Sequence, residues 1–248
     1  MIMFSLIFLT GIVAGFLNTL AGGGSILALP VLILAGLPSP LANATNRVAI
    51  LLQNIIGCGK FHRHGLLQVR PVIHITIAAS MGAIAGSLLA VKISSALFDK
   101  ILGVIFIFVL FMLLRPKRKS SATKSLPPWL EMLIFLLVGF YGGFVQAGVG
   151  FIFLATLNLI ERYNLVQANA VKVFIIMCYT GFAVIVFAIS GKILWKYGLV
   201  LAAGNMIGAW LGVHFAVRNG DRIVRIVLTV AIIIACLKLF GGLQLIGI

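Results

Sequence analysis

The sequence has very little negative charge and little charge of any kind. Only 4 of its 248 residues are Asp or Glu, and all charged residues together make up 9% of the chain, whereas 62% of it is hydrophobic. A water-soluble domain of this length has too small a core to bury so much apolar surface. The mean hydropathy of +1.22 therefore predicts a chain that lies mostly in lipid. Its length allows about eight to ten membrane-embedded helices of roughly 20 residues each.

Motifs for catalysis and for metal binding are also absent. The chain has no His-Glu-x-x-His segment, no pair of Asp residues on one apolar segment and no nucleophile motif. Its three cysteines lie in apolar or small-residue runs without paired spacing, which predicts neither a disulfide framework nor a zinc site. We therefore predict that the protein is not an enzyme, has no catalytic residue, binds no metal and uses no cofactor.

Positive charge, in contrast, is abundant. The 19 Lys and Arg residues give a formal net charge of +15, which in a soluble protein would suggest a nucleic-acid partner. Here the basic residues collect in short connections between apolar segments, as they do in the cytoplasmic loops of membrane proteins. We predict contact with membrane lipid and no nucleic-acid binding. The acidic residues lie near segment ends, which argues against a relay of carboxylates across the membrane; they are Asp99, Glu131, Glu161 and Asp221.

The apolar segments form two successive groups of five. An N-terminal repeat occupies residues 1–114 and a C-terminal repeat residues 129–248, and in both the second segment is short for a membrane span. The stretch RPKRKSSATKSLPP, residues 115–128, separates them and contains five basic residues and a Pro pair, which predicts a basic cytoplasmic linker. The segments are 4–20, 26–37, 41–58, 69–91, 96–114, 129–147, 151–160, 165–189, 195–217 and 223–240.

Residues of the two groups also match each other. The pairs in one register are Gly65 with Gly191, Gly82 with Gly208, Gly86 with Gly212 and Arg70 with Lys196; after a gap of one residue, Arg47 aligns with Lys172. These matches predict an all-α membrane protein built from two five-segment structural repeats. If every segment crosses the membrane the repeats are inverted, which we favour. Four crossings per half would make them parallel, with a bias of basic residues that fits nearly as well.

Each half has one cation inside an apolar segment, Arg47 and Lys172. A cation at membrane depth costs at least about 2.5 kcal/mol, so it normally faces a cavity, a partner or a substrate. Both cations belong to stripes of polar residues at helical spacing, which we expect to face inward and line a site between the halves. The alternative is that both side chains extend to the membrane interface. The stripes contain Asn43, Asn46, Arg47, Gln53 and Asn54 in the first half and Asn169 and Lys172 in the second.

A glycine-rich sequence interrupts an early apolar segment in each half. These sequences are AGGGS at residues 21–25 and AGVG at residues 147–150. Glycine weakens a helix by about 1 kcal/mol per residue, and broken helices at membrane depth line a cavity or are buried in protein. The helix that follows each break starts with free amides and a positive dipole end, which suits an anion. Close helix packing is the alternative use of these glycines.

Three stretches of the sequence resemble the sulfite exporter TauE/SafE family of membrane permeases. They are GFLNTLAGGGSILALPVLILAGLPSPLANATNR, QNIIGCGKFHRHG and, in the second half, NAVK. The resemblance covers nearly the whole chain. It implies a duplicated helical transporter in the cell membrane, in bacteria the inner membrane, that moves sulfite, thiosulfate, organosulfonates or related anions outward. It carries anion binding to Gly22, Gly23, Gly24, Arg47 and Lys172. The second half departs from the pattern by having fewer glycines and Lys in place of Arg.

The sequence thus predicts a transporter of small sulfur-containing anions that works by alternating access, with a basic site between the repeats. An anion channel and a transporter of another small organic anion are the alternatives. The predicted substrate-binding residues are Gly22, Gly23, Gly24, Ser25, Asn43, Asn46, Arg47, Asn54, Gln146, Gly148, Asn169 and Lys172.

Overall fold

The computed structural model describes the backbone of residues 2–114, 126–159 and 163–239, and the side chains of residues 2–105, 126–158 and 163–218. Every regular element in these ranges is helical, as the sequence predicts. The α-helices are α1 (Ile2–Leu20), α2 (Ser25–Leu34), α3 (Ser39–Arg63), α4 (Ile73–Lys92), α5 (Ser95–Leu114), α6 (Pro128–Phe144), α7 (Val149–Leu159), α8 (Leu165–Ile189) and α9 (Trp195–Leu239), and a 3₁₀ turn (Arg70–Val72) precedes α4. Most of the predicted linker at 115–128, and Glu161, lie outside the described residues.

Four helical stretches in the described part of the chain are long and apolar enough to cross a membrane. They are Ile2–Leu20, Arg70–Lys92, Leu165–Ile189 and Trp195–Arg218. Three shorter apolar helices accompany them, at Ser25–Leu34, Pro128–Phe144 and Val149–Asn158. Large apolar side chains such as Leu137, Ile185 and Trp210 are exposed on the helix surfaces, which fits contact with lipid rather than water.

Helix α3 carries more buried polar side chains than any other helix in the described part of the chain. It is as long as α8, with 25 residues, but Asn43, Asn46, Arg47, Gln53 and Asn54 all lie inside the protein. Most of its contacts are with α8 and α9, so its polar face is enclosed by helices of the other half of the chain. The inward orientation expected of the polar stripe is therefore what the structure has.

The C-terminal part departs from the predicted segmentation. The sequence suggests separate segments at 195–217 and 223–240, but α9 runs without interruption from Trp195 to Leu239. The polar sequence RNGDR at residues 218–222 contains one Gly and no Pro. A single Gly costs a helix only about 1 kcal/mol, and charged residues keep their backbone hydrogen bonds in a helix. The change in hydropathy at these residues therefore does not mark a helix end.

Two helix pairs hold the halves of the chain together through close backbone contacts. Helix α1 packs along α9, and α4 packs along α6, in the most extensive contacts of the structure. In each pair small residues face the partner's backbone: a Cβ added to Gly15 would overlap Asn205, and one added to Gly143 would overlap Ala83. Such contacts let membrane helices approach closely. Each pair joins a helix from residues 1–114 to one from residues 126–239, so the two halves interlock.

We expect that Gly139→Ala destabilises the protein, because a Cβ at this position of α6 would overlap the carbonyl of Ala79 in α4. Overpacking of this kind costs about 1–3 kcal/mol. The measurement is the midpoint of thermal unfolding in detergent. Gly103→Ala in α5 is the matched control, since a Cβ there meets no atom within 4 Å. Equal midpoints for the two variants would show that the α4–α6 contact tolerates a methyl group.

Candidate functional site

The chain leaves the helical conformation at both glycine-rich sequences. Residues 21–24, the first break, separate α1 from α2, and residues 145–148, the second break, separate α6 from α7. In the first break Gly22 has a φ of 89°. In the second, Gly148 has a φ of 71° and Gln146, which is not glycine, a φ of 66°. The left-handed conformation costs a residue with a Cβ roughly 1–2 kcal/mol, so something must hold Gln146 in place.

The two breaks touch each other inside the protein. A Cβ added to Gly22 would overlap the backbone of Gly150, at the start of α7, and a Cβ added to Gly150 would overlap the backbone of Gly22. Both positions therefore require glycine because the two backbones are in direct contact. This contact brings the C-terminal ends of α1 and α6 and the N-terminal ends of α2 and α7 to one place.

Arg47 of α3 binds the C-terminal end of α6. Its Nη1 donates hydrogen bonds to the Gly142 carbonyl and to Oε1 of Gln146, and its Nη2 donates to the Gly143 carbonyl at 2.8 Å. One turn earlier, Asn43 Nδ2 donates to the Phe144 carbonyl at 2.9 Å. The last carbonyls of a helix have no partner within it, and a cation there is favoured by the helix dipole. Helix α3 thus caps α6.

Lys172 of α8 binds the C-terminal end of α1 in the same way. Its Nζ donates to the carbonyls of Asn18 at 2.8 Å and Thr19 at 3.1 Å, and to Oδ1 of Asn169 at 2.6 Å. Asn169 Nδ2 donates to the Leu20 carbonyl at 3.1 Å. Three acceptors match the three N–H donors of an ammonium group. Each half therefore supplies an Asn and a cation that cap the broken helix of the other half.

Both cations are completely enclosed by protein. Arg47 is 0% exposed and Lys172 is 1% exposed, and they are the only charged residues among the buried side chains that the structure describes. Neither side chain reaches the surface, so neither extends to the membrane interface. The C-terminal ends of α1 and α6 each contribute roughly half a negative charge, and the N-terminal ends of α2 and α7 each contribute roughly half a positive charge. Among the described residues the site thus contains two buried basic side chains and no buried acidic one.

A small cavity lies beside the contact between the breaks. Its free volume is about 10 Å³, room for about one water molecule. Its walls come from both breaks, from α3 and from α8. The lining residues are Asn18, Gly22, Ser25, Ile50, Gln53, Asn54, Gln146, Val149, Gly150 and Ile176.

Four of the residues predicted from the sequence line this cavity: Gly22, Ser25, Asn54 and Gln146. Neither cation lines the cavity, but each binds a residue that does. Arg47 donates a hydrogen bond to the Gln146 side chain, and Lys172 donates one to the carbonyl of Asn18.

The remaining predicted residues, except Asn46, shape the breaks or cap the helices. The Gly24 amide donates to Oδ1 of Asn18 at 2.7 Å, and Gly23 lies against the Phe151 ring. Asn43 and Asn169 cap α6 and α1, and Gly148 provides a left-handed turn. Asn46 is buried, and neither polar atom of its side chain has a hydrogen-bond partner within the described part of the protein.

A hydrogen-bonded chain of carboxamides was missed in the sequence prediction of the site. Asn18 Nδ2 donates to Oε1 of Gln53 at 3.3 Å, and Asn205 Nδ2 of α9 donates to the same oxygen at 2.9 Å. Gln53 belongs to the polar stripe of α3 but was not assigned to the site. Asn18 and Asn205 are each the only carboxamide residue of the apolar segments 4–20 and 195–217, and such residues usually face a bundle interior. That signal was available for both.

Comparison with known proteins agrees with the architecture. The sequence profile of the family "Sulfite exporter TauE/SafE" matches residues 7–239. The chain belongs to this family. The resemblance inferred from the sequence is therefore confirmed, and this TauE/SafE protein is a multi-pass membrane protein of a transporter family.

Relatives of this TauE/SafE protein are named as membrane transporters. A "Probable membrane transporter protein" of Haemophilus influenzae is 29% identical over 224 residues, 89% of this chain and 88% of the relative. "Probable membrane transporter protein ORF9" of a Sinorhizobium species is 27% identical over 95% of this chain and 91% of its own length. "Probable membrane transporter protein YfcA" of Escherichia coli K12 is 24% identical over 96% and 90%. No solved structure matches the chain.

We expect Lys172→Met to lower the stability of this TauE/SafE protein. The substitution keeps much of the side-chain volume but leaves buried carbonyls at the end of α1 without a donor, at about 1–3 kcal/mol for each group. Thermal unfolding in detergent measures the loss. Lys100→Met removes the same charge from an exposed position of α5 and should leave the midpoint unchanged. A Lys172→Met protein as stable as the Lys100→Met protein would contradict the capping role.

Proposed function

We propose that this protein is a permease for small anions, with sulfite, thiosulfate and organosulfonates as the substrate class, and that it performs no chemical reaction on them. One observation carries the proposal. Arg47 and Lys172 are buried beside the meeting point of two broken helices, and no buried carboxylate accompanies them among the described side chains. The site has positive charge and no negative protein group to balance it.

An anion would complete the electrostatics of this site. Burial of a cation costs several kcal/mol even after the surroundings relax. Carbonyl oxygens carry only partial charges and compensate this cost in part. A small anion between the breaks brings a full negative charge to both cations at once, whereas a metal cation or an ammonium ion would be repelled by them. The arrangement therefore favours anions over cations as cargo.

The sulfur-containing part of the proposal rests on the family. Its description names sulfite, while the relatives are named only as probable membrane transporters. Sulfite and sulfonates are compact oxyanions with several acceptor oxygens, so they suit a site of amides and cations. A transporter of another small organic anion would use the same site.

We also propose that the two halves are inverted repeats that move against each other. Helix α3 of the first half caps α6 of the second, and α8 of the second half caps α1 of the first, so the two contacts correspond when the halves are exchanged. Gly65 and Gly191 also share a left-handed conformation at matching positions. The cavity is too small for an oxyanion, so the halves must separate for cargo to enter from either side. Opening on alternate sides is how transporters built from such repeats work.

Within this proposal the predicted residues divide by task. Arg47 and Lys172 supply the charge, and Gly22, Ser25, Asn54 and Gln146 face the anion. Five others keep the breaks and helix ends in shape, and these are Gly23, Gly24, Asn43, Gly148 and Asn169. Asn46 has no such contact.

We expect purified protein in liposomes to move sulfite with saturable kinetics, to be inhibited by thiosulfate and methanesulfonate, and not to move K⁺. Arg47→Gln and Lys172→Gln should each reduce the rate at subsaturating sulfite about tenfold or more, since loss of one charged partner costs at least about 1.5 kcal/mol. Flux of radiolabelled sulfite is the measurement.

The matched control is Lys100→Gln, which removes one exposed positive charge and should transport normally. Normal flux in both site variants, with normal insertion, would overturn the proposed site. K⁺ flux would overturn the substrate class, and unitary anion conductance would favour a channel over a carrier.

A further inference from the structure

We infer that the cargo's direct hydrogen-bond donors are the side-chain amides of Gln53 and Gln146, and that Arg47 acts through Gln146 as a positioning residue. This inference rests on the proposed function, because it names the groups that hold the anion in the same cavity. In this arrangement the cations do not touch the anion directly, and each half of the chain supplies one hydrogen-bond donor to it.

Gln146 is oriented by Arg47. A glutamine amide has an acceptor end, Oε1, and a donor end, Nε2, of nearly the same shape, so only the partners decide which end faces which way. A guanidinium group can only donate. Arg47 Nη1 binds the side chain of Gln146, so Oε1 must be the end that faces it. Because Gln146 also lines the cavity, the end left for the cavity is the NH₂ group.

Gln53 is oriented by a longer chain that starts at a backbone amide. The N–H of Gly24 can only donate, so the end of Asn18 that it meets at 2.7 Å is Oδ1. Asn18 then presents Nδ2 to Gln53, and the end of Gln53 that receives it at 3.3 Å is Oε1. Asn205 Nδ2 donates to the same oxygen at 2.9 Å. Both bonds use the acceptor end, which leaves the NH₂ group of Gln53 for the cavity that this residue lines.

The two amides approach the cavity from different halves of the chain. Gln53 belongs to α3 and Gln146 to the second break, and they are only 3% and 2% exposed. Both amide orientations follow from the hydrogen-bond partners, because each chain of hydrogen bonds starts at a group that can only donate, Arg47 for Gln146 and the Gly24 N–H for Gln53. The cavity is therefore faced by two NH₂ groups with fixed direction, which suits the oxygens of an oxyanion.

Neutral donors also suit a transporter better than direct contact with the cations. Transport requires a site that binds well enough to load and weakly enough to release. A bidentate Arg contact with an oxyanion is among the strongest interactions available to a protein. With Arg47 engaged by Gly142, Gly143 and Gln146, its charge attracts the anion while the contact itself is made by an amide.

The test replaces the NH₂ group of each glutamine amide, which faces the cavity, and keeps the acceptor oxygen. In Gln53→Glu and Gln146→Glu, one carboxylate oxygen still accepts the bonds from Asn18 and Asn205, or from Arg47, while the NH₂ group becomes a second oxygen. We expect the KM for sulfite in liposomes to rise at least about 10- to 100-fold, because a hydrogen-bond donor to a charged group is lost and the new carboxylate repels the anion. In Gln146→Glu the new charge pairs with Arg47, so the thermal midpoint of this variant should stay near that of the wild type.

Gln167→Glu is the matched control, because Gln167 is exposed at the start of α8 and undergoes the same chemical change. Unchanged KM values in Gln53→Glu and Gln146→Glu, with wild-type sulfite transport intact, would overturn this inference and leave the proposed function standing. A wild-type protein that transports no anion would overturn both.

The positioning role of Arg47 has a separate readout. Arg47→Lys keeps the charge but lacks the fork that binds two carbonyls and Gln146 together, so we expect a higher KM with little change in maximal rate. In a Gln146→Met background the same substitution should have almost no further effect on KM, since there is no amide left to orient. Additive effects of the two substitutions would show that Arg47 contacts the anion directly.

Discussion

The structure depends on how the ends of two broken helices are satisfied inside a membrane protein. A helix that stops at membrane depth leaves carbonyls that water cannot reach. Here Arg47 and Asn43 bind the end of α6, and Lys172 and Asn169 bind the end of α1. The donors in each case come from the other half of the chain. Neither break is stable without its opposite half, so the same bonds that permit the breaks also hold the two halves together.

This requirement of the backbone has an electrostatic consequence for function. Neutral caps would satisfy the carbonyls, but a cation satisfies several at once and leaves positive charge behind. The N-terminal ends of α2 and α7 lie at the same place and add to it. Because the described part of the protein buries no carboxylate, this charge is balanced only by carbonyl dipoles. Under the proposed function, the groups that stabilise the breaks are also those that attract the anion.

Much of this was accessible from sequence, within limits set by the range of each signal. Hydropathy predicted a helical membrane protein, and the two glycine-rich sequences lie at two of the interruptions between helices. Local spacing also predicted that the polar stripes with Arg47 and Lys172 face inward, and both side chains are buried. Their partners were not accessible, because Arg47 binds carbonyls that lie 95 and 96 positions away in the chain and Lys172 carbonyls 153 and 154 positions away. Backbone acceptors have no residue type, so no sequence pattern marks them. The continuity of α9 was missed because hydropathy reports surroundings and not hydrogen bonding.

The two halves of the chain differ at the cavity, and the left-handed residues explain why. Each break has a left-handed residue two positions after the end of the preceding helix, Gly22 in the first break and Gln146 in the second. Glycine adopts this conformation freely, whereas Gln146 does so at roughly 1–2 kcal/mol, offset by its bond to Arg47. The strain places an amide in the cavity where the first break has no side chain. The first half has an amide at the cavity in α3 instead, from Gln53. The α8 positions in register with Gln53 and Asn54 are Cys178 and Tyr179, which have no amide side chain. Under the proposed function, each half therefore supplies its donor from the element in which the other half has none, and the site is asymmetric.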